Sequence, residues 1–168
     1  MNLENSIKTL LADNKQQPNS APSSRRVGLI GAGNITRMHL KGYAWAGVEV
    51  TGITDLNPDK AQERASEFNI PVVFKDLEAM LADDRVDVLD LNFPGNGRLP
   101  VVQKIAKAGK PVLVQKPMAD DYSTALQMVE TCESDHVPIA VNMNARFSPV
   151  YRIARKMIEA GLLGEIYH

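Results

Sequence analysis

The chain has 168 residues, which is the length of one ordinary domain with a sizeable core and too short for two complete domains. Lysine and arginine number 19 against 20 acidic residues, so the net charge of -1 gives no basic excess that would indicate nucleic-acid binding. The apolar share of 44% argues against a disordered chain, and no apolar run approaches the roughly 18 residues of a membrane span.

Cysteine usage limits the chemistry further. The only cysteine, Cys132, excludes an intrachain disulfide and a zinc site built on several thiolates, and we predict no metal site. A lone thiol suits a reducing compartment, so the expected location is cytoplasmic.

Residues 1–24 differ in composition from the rest, and we interpret them as a flexible N-terminal extension. They lack the basic start and the continuous apolar centre of a secretory signal. The Ser24-Arg25-Arg26 run is superficially similar to a twin-arginine export signal. The apolar run after it ends at Asn34 without a small-residue cleavage site, which argues against export.

From Val27 onward, short apolar runs alternate with segments of helical period. This alternation is typical of βαβ units and predicts an α/β fold with a doubly wound parallel sheet. The predicted strands are Arg26–Ile30, Glu49–Thr54, Val72–Phe74, Val86–Leu91, Pro111–Val114 and Pro138–Val141.

Helices are predicted between these strands from apolar residues at helical spacing. Asn57 followed by Pro58 supplies one helix start, and Asp76 supplies the next. A helix is also expected over Ser148–Gly161, and Gly164–His168 resembles the opening of another strand. Cys132 lies on one of the predicted apolar helix faces, which makes it a packing residue rather than a nucleophile. The three predicted faces are Ala61, Ala65 and Phe68; Leu99, Val102, Ala106 and Gly109; and Tyr122, Ala125, Leu126, Val129 and Cys132.

A glycine-rich run, Gly31-Ala32-Gly33-Asn34-Ile35-Thr36, follows the first predicted strand and opens a helix. Gly31 permits the tight turn, and Gly33 lets the backbone approach a pyrophosphate, whose charge is met by N–H groups at the helix start, at Asn34 and Ile35. Thr36 stands at the third glycine position, and its side chain is expected to push helix and strand slightly apart.

Asp55 ends the second predicted strand, 22 residues after Gly33. At this place an acidic side chain can accept hydrogen bonds from both adenosine ribose hydroxyls. Leu56 and Asn57 offer no cation for a 2′-phosphate, which favours NAD over NADP as the cofactor. A turn-forming role at the strand end is the alternative for Asp55.

Gln115 and Lys116 follow the fifth predicted strand, at the sheet edge where doubly wound folds bind ligands. A lysine at this edge can exchange a proton with a substrate hydroxyl. The alternative for Lys116 is a solvated loop lysine.

These motifs together resemble the glucose-fructose oxidoreductase / inositol dehydrogenase (Gfo/Idh/MocA) family over residues 25–168. The resemblance implies a Rossmann dinucleotide-binding domain over 25–145. Residues 146–168 would then form the connecting helix and the start of an otherwise absent α/β substrate domain. The residues that carry the resemblance are Gly31-x-Gly33, Asp55, Ala108-Gly109-Lys110-Pro111-Val112, Lys116-Pro117 and Arg146-Phe147-Ser148-Pro149.

The resemblance also implies an activity, the transfer of hydride between a nicotinamide cofactor and the secondary alcohol carbon of a sugar or polyol. Lys116 would be catalytic and, with Gln115, would belong to the cofactor-binding site. Gln115 stands where the family usually has glutamate; it can still hydrogen-bond a nicotinamide ribose, but it brings no charge beside the lysine. Asn92, Phe93 and Pro94 would lie along the cofactor.

Five further positions are assigned by the same resemblance. Asn142, Asn144 and Arg146 would flank the nicotinamide end, although Arg146 equally suits pinning the interdomain helix. His39 matches a histidine common on the first helix, but its place four residues after Ile35 favours packing over catalysis. Arg98 replaces the family's histidine and would either meet an anionic substrate or be a solvated helix-start residue.

The family's later Asp and His pair, which handles protons with the lysine, belongs to the second domain, and His168 does not map onto that histidine. The chain is therefore interpreted as the N-terminal half of a dehydrogenase, with a homo-oligomer implied for a full-length form. Two alternatives remain open: a non-catalytic nucleotide-binding or partner-binding module, and an inactive truncated fragment.

Overall fold

The computed structural model describes residues 24–167. Contacts between residues divide the chain into two units, a larger one whose described part runs from Ser24 to Asn142 and a smaller one whose described part runs from Met143 to Tyr167. The predicted extension over residues 1–24 lies, except for Ser24, outside the described residues.

The larger unit is built on a six-stranded parallel sheet with the strand order β3-β2-β1-β4-β5-β6. All six predicted strands are present, with ends within two residues of those expected. The order changes direction between β1 and β4, which is the place where doubly wound sheets bind ligands. The strands are β1 (Val27–Ile30), β2 (Val50–Thr54), β3 (Val72–Val73), β4 (Val88–Leu91), β5 (Val112–Gln115) and β6 (Ile139–Asn142).

The helices of this unit connect successive strands. The Asn57 side chain accepts hydrogen bonds from the N–H groups of Asp59 and Lys60, and Asp76 accepts one from Ala79, so both predicted helix starts are confirmed. The helices are α1 (Asn34–Ala46), α2 (Pro58–Phe68), α3 (Leu77–Leu81), α4 (Arg98–Lys107) and α5 (Tyr122–Ser134).

Apolar side chains cover both faces of the sheet. Leu29 and Ile30 are neighbours in β1 and therefore point to opposite faces. Leu29 belongs to a cluster with Ile53 and with residues of α2, whereas Ile30 belongs to a second cluster with residues of α4 and α5. Burial of both faces explains why the strands read as continuous apolar runs rather than alternating ones.

Helix α5 packs through a face that holds three of the five predicted residues, Ala125, Val129 and Cys132, but not Tyr122 and Leu126. Tyr122 and Leu126 are 81% and 40% exposed, while Met128 and Cys132 are completely buried. The helix packs along the row that also holds Ala125 and Val129, and this row excludes the predicted Tyr122. The packing role of Cys132 is confirmed, and burial raises the pKa of its thiol.

The smaller unit contains a 3-10 helix at Asn144–Phe147 and helix α6 at Pro149–Glu159, within the helix predicted over Ser148–Gly161. The expected strand opening at Gly164 is wrong for the described residues, since 164–167 pair with no strand there and an extended segment needs a neighbour for its hydrogen bonds. Between residues 24 and 167, no helix is both long enough and apolar enough to cross a membrane.

Candidate functional site

The turn after β1 requires a glycine at its first position. Gly31 has a φ of +102°, and a Cβ atom there would lie 2.8 Å from the carbonyl oxygen of Asn92. Gly33 has an ordinary φ of -70°, and no heavy atom lies within 4 Å of where its Cβ would be. The first glycine therefore serves the backbone, and the second leaves open space beside the start of α1.

The start of α1 can receive an anion. Gly33 is the residue before the first helical turn, and no side chain caps the helix there. Asn34 is exposed and Ile35 is half-buried. Backbone N–H groups at an uncapped helix start carry partial positive charge, and with the space at Gly33 this arrangement fits the pyrophosphate of a dinucleotide.

Thr36, at the third glycine position, supports the turn through a hydrogen bond. Its side chain is completely buried, and its hydroxyl donates to the carbonyl oxygen of Gly31 at 2.7 Å. The sequence suggested only a steric effect for this residue. The added hydrogen bond provides a reason for a threonine at this position.

Asp55 follows β2 and already holds the glycine turn. One carboxylate oxygen accepts the N–H of Ala32 at 2.7 Å, and the other accepts the N–H of Asn57 at 2.8 Å. On the other side of the turn, the buried Arg64 of α2 donates to the carbonyl oxygen of Ala32 at 3.2 Å. Each carboxylate oxygen of Asp55 has capacity for a further bond, which suits two ribose hydroxyls.

A cleft of about 810 Å³ opens at the carboxyl ends of β1, β2 and β4. It brings together four of the predicted site residues, Gly31, Asp55, Phe93 and Pro94. Asn92 does not line it: the residue is 4% exposed, and its side-chain oxygen and nitrogen have no hydrogen-bond partner in the described part of the chain. The other lining residues are Ile30, Thr54, Leu56, Pro58, Lys75, Asp76, Leu77, Glu78, Asn96, Gly97, Val101 and Lys104.

Gln115 and Lys116 lie at the carboxyl end of β5, as predicted from the sequence. Gln115 is 7% exposed, whereas Lys116 is exposed and free to reach a ligand at the sheet edge. The N–H of Lys116 donates to the side-chain oxygen of Gln115 at 2.7 Å. The peptide bond between Lys116 and Pro117 is cis.

A buried polar cluster lies beside Gln115. Asp90, in the middle of β4, is completely buried and accepts a hydrogen bond from the Tyr43 hydroxyl at 2.8 Å. His39 contacts the same carboxylate oxygen through Nδ1 at 2.7 Å and the side-chain nitrogens of Gln115 and Asn142 through Nε2, at 3.1 and 2.9 Å. The packing role predicted for His39 is therefore incomplete, because both ring nitrogens make polar contacts.

The structure contradicts both roles expected for Arg98, contact with an anionic substrate and solvation at a helix start. Its side chain is 1% exposed, so it is neither solvated nor turned toward a substrate. The guanidinium donates to the carbonyl oxygens of Phe93, Gln115, Pro117 and Met118. Burial lowers the pKa of Arg98, and the charge of Asp120 opposes that shift.

Asn144 and Arg146 lie in the 3-10 helix of the smaller unit, and both are exposed. Their expected place at the nicotinamide end stays a prediction.

Comparison with known proteins gives matches over most of the larger unit. The Gfo/Idh/MocA family model, described as an oxidoreductase family with an NAD-binding Rossmann fold, matches residues 25–143. The chain is 33% identical over 148 residues to an inositol 2-dehydrogenase of Corynebacterium glutamicum, covering 85% of this chain and 43% of that protein.

Solved structures give the same result. An Agrobacterium radiobacter oxidoreductase in complex with NAD+, L-tartaric acid and magnesium is 26% identical with a TM-score of 0.80, covering 85% of this chain and 42% of that one. The WlbA dehydrogenase of Bordetella pertussis, in complex with NADH and UDP-GlcNAcA, is 31% identical with a TM-score of 0.79, covering 86% and 45%. The chain thus spans less than half the length of these relatives.

Proposed function

Because the chain belongs to the Gfo/Idh/MocA oxidoreductase family and carries its NAD-binding Rossmann fold, we propose that it is the nucleotide-binding half of a dehydrogenase acting on a sugar or polyol. The observation that carries the proposal is the pair of features around one turn, the open helix start at Gly33 and the carboxylate of Asp55. The inositol 2-dehydrogenase relative supports a polyol as the substrate class.

Each part of the proposed cofactor site has its own task. The N–H groups at the start of α1 bind the pyrophosphate, Asp55 binds the adenosine ribose, and Phe93 and Pro94 form the apolar wall of the cleft. When bound, NAD supplies the carbon that accepts hydride. Asp55 favours NAD because its carboxylate repels the 2′-phosphate of NADP.

Lys116 is proposed as the catalytic residue of the alcohol oxidation. It lies exposed at the carboxyl end of β5, where its amino group binds the substrate hydroxyl and takes up the hydroxyl proton as hydride leaves the carbon for NAD. Gln115 brings no charge to this position. Its amide holds the backbone at Lys116 through the bond to the lysine N–H.

Calorimetric titration of the 168-residue chain with NAD, and separately with NADP, tests the cofactor site. We expect NAD to bind more tightly than NADP. Asp55→Ala is expected to weaken NAD binding at least tenfold, because hydrogen bonds to a charged group contribute about 1.5–3 kcal/mol. Asp59→Ala, which removes an exposed carboxylate from the first turn of α2, is the matched control. No NAD binding by the folded chain would refute the proposal.

Turnover separates the dehydrogenase from a non-catalytic nucleotide-binding module. In the natural whole protein, Lys116→Ala is expected to keep NAD binding and to abolish polyol oxidation, measured as NADH formation. NAD binding without oxidation of any polyol in the unaltered protein favours the module.

A further inference from the structure

An acidic side chain lies buried within the sheet. Asp90 is completely buried in β4, and a carboxylate in such a place is retained only with hydrogen-bond donors around it. The Tyr43 hydroxyl donates to its Oδ2, and His39 Nδ1 lies 2.7 Å from the same oxygen, while Oδ1 has no partner among the described residues. Burial and the charge of Asp90 raise the pKa of Tyr43, so its hydroxyl stays protonated and donates.

The opposite side of the His39 ring meets an amide whose orientation is fixed. Gln115 uses its side-chain oxygen to accept the Lys116 N–H at 2.7 Å, so its NH₂ group is the end that faces His39 Nε2 at 3.1 Å. An NH₂ group only donates. Nε2 must therefore be the unprotonated, accepting nitrogen of the ring.

Both contacts select the same form of the imidazole. A carboxylate on Nδ1 requires a proton on that nitrogen, and an amide NH₂ on Nε2 requires a lone pair there. The two contacts together fit the Nδ1–H tautomer of the ring. The side-chain nitrogen of Asn142 also lies within hydrogen-bond distance of Nε2, at 2.9 Å.

We propose that His39 is a positioning residue: held as the Nδ1–H tautomer by Asp90, it orients the side-chain amides of Gln115 and Asn142 at the carboxyl edge of the sheet. Through Gln115 it fixes the backbone N–H of Lys116. The hydrogen bonds thus run from the buried carboxylate of β4 to the residue that binds the substrate hydroxyl. The link to catalysis rests on the proposed function, whereas the tautomer does not.

Nitrogen-15 NMR of the histidine side chains in the unaltered chain tests the tautomer directly. His39 is expected to show a protonated Nδ1 and an unprotonated Nε2, the reverse of the form that predominates for a solvated neutral histidine. The sequence contains three histidines, and loss of one signal set in His39→Leu assigns the resonances. A protonated Nε2 on His39 in the unaltered chain would overturn the inference.

Gln115→Glu replaces the hydrogen-bond donor that faces His39 Nε2 by an acceptor. A glutamate presents only oxygens to His39, so Nε2 is expected to gain a proton and its resonance to move to the protonated position. Gln103→Glu makes the same charge change at an exposed residue of α4 and is expected to leave the His39 resonances unchanged. Unchanged His39 signals in Gln115→Glu would contradict the assigned geometry.

Hydrogen exchange at the backbone N–H of Lys116 tests the positioning role of His39. His39→Leu removes the acceptor for Gln115, and we expect the Lys116 N–H to exchange with solvent about two- to tenfold faster, the factor for one hydrogen bond. Unaltered exchange at Lys116 in folded His39→Leu would limit His39 to a structural role. These measurements need no cofactor. If the chain shows the Nδ1–H tautomer but does not bind NAD, the proposed function is refuted and the inference about His39 stands.

Discussion

Gly31 and Gly33 lie two residues apart and differ in what a side chain would meet. Gly31→Ala places a Cβ against the Asn92 carbonyl at a positive φ, and we expect the unfolding free energy to fall by at least about 2 kcal/mol. Gly33→Ala meets open space, so its stability should stay within about 1 kcal/mol of the unaltered chain. Urea unfolding measures both changes.

The two glycine substitutions also distinguish an effect on folding from an effect on NAD binding. Gly33→Ala is expected to lower NAD affinity at least tenfold in a folded chain, because the methyl group occupies the space needed for close approach of the pyrophosphate. Normal NAD affinity in Gly33→Ala would mean that the pyrophosphate lies elsewhere.

Asp55 is expected to set the choice between NAD and NADP by its charge. Asp55→Asn keeps one acceptor oxygen and removes the negative charge that opposes a 2′-phosphate. We expect the ratio of the two dissociation constants to shift about tenfold or more toward NADP, within the range for hydrogen bonds to charged groups. Calorimetry with both cofactors measures the ratio, and a ratio equal to that of the unaltered chain would exclude this role.

At the scale of elements, Arg98 ties the start of α4 to the loops after β4 and β5. Arg98→Met removes the guanidinium donor from the buried carbonyl of Gln115 and the partly buried carbonyls of Phe93 and Pro117, and we expect it to lower the unfolding free energy by about 3 kcal/mol or more. Arg85→Met removes an exposed ion pair with Asp83 and should cost at most about 1 kcal/mol. Equal midpoints of urea unfolding for the two variants would contradict this stabilising role of Arg98.

The sheet elements were predictable because their signals are local. A buried parallel strand shows as a short apolar run, and helix starts such as Asn57-Pro58 are read from adjacent residues. Two residues of the α5 face, Tyr122 and Leu126, are wrongly predicted because they fit a helical period as well as Met128 does. Periodicity alone does not say which stripe faces the sheet.

At the scale of the whole molecule, one ion pair joins the starts of β1 and β4. Asp87 accepts hydrogen bonds from the backbone N–H and the guanidinium of Arg26, which lower the pKa of its carboxyl to about 2. The unfolded value is about 3.9. The pair therefore stabilises the fold above about pH 4, and this stability is lost as the pH falls toward 2.

Asp87→Asn should lower stability at neutral pH and flatten its fall between about pH 4 and pH 2. Urea midpoints followed by circular dichroism across this range provide the measurement. Asp84→Asn, at an exposed neighbouring carboxylate, is the control that should keep the slope of the unaltered chain. An unchanged slope in Asp87→Asn would show that its carboxyl does not govern this acid response.

The buried polar cluster was out of reach of local sequence patterns. His39 contacts residues 51, 76 and 103 positions away, and only the folded sheet brings them together. One signal was present: Asp90 interrupts the apolar run Val88-Leu89-Asp90-Leu91, and a carboxylate in a buried strand needs donors from elsewhere. Arg98 gave no such signal, because an arginine at a helix start reads the same whether buried or exposed.

The hydrogen bond from the Ala32 N–H to Asp55 has a consequence for cofactor redesign. Replacing Asp55 by a small residue, with an arginine introduced nearby to receive a 2′-phosphate, would also leave the Ala32 N–H without its acceptor. The glycine turn would loosen where the pyrophosphate binds, and both cofactors would lose affinity. A useful NADP-dependent variant must therefore keep an acceptor oxygen at position 55 while giving up its charge, which makes asparagine the first substitution to try.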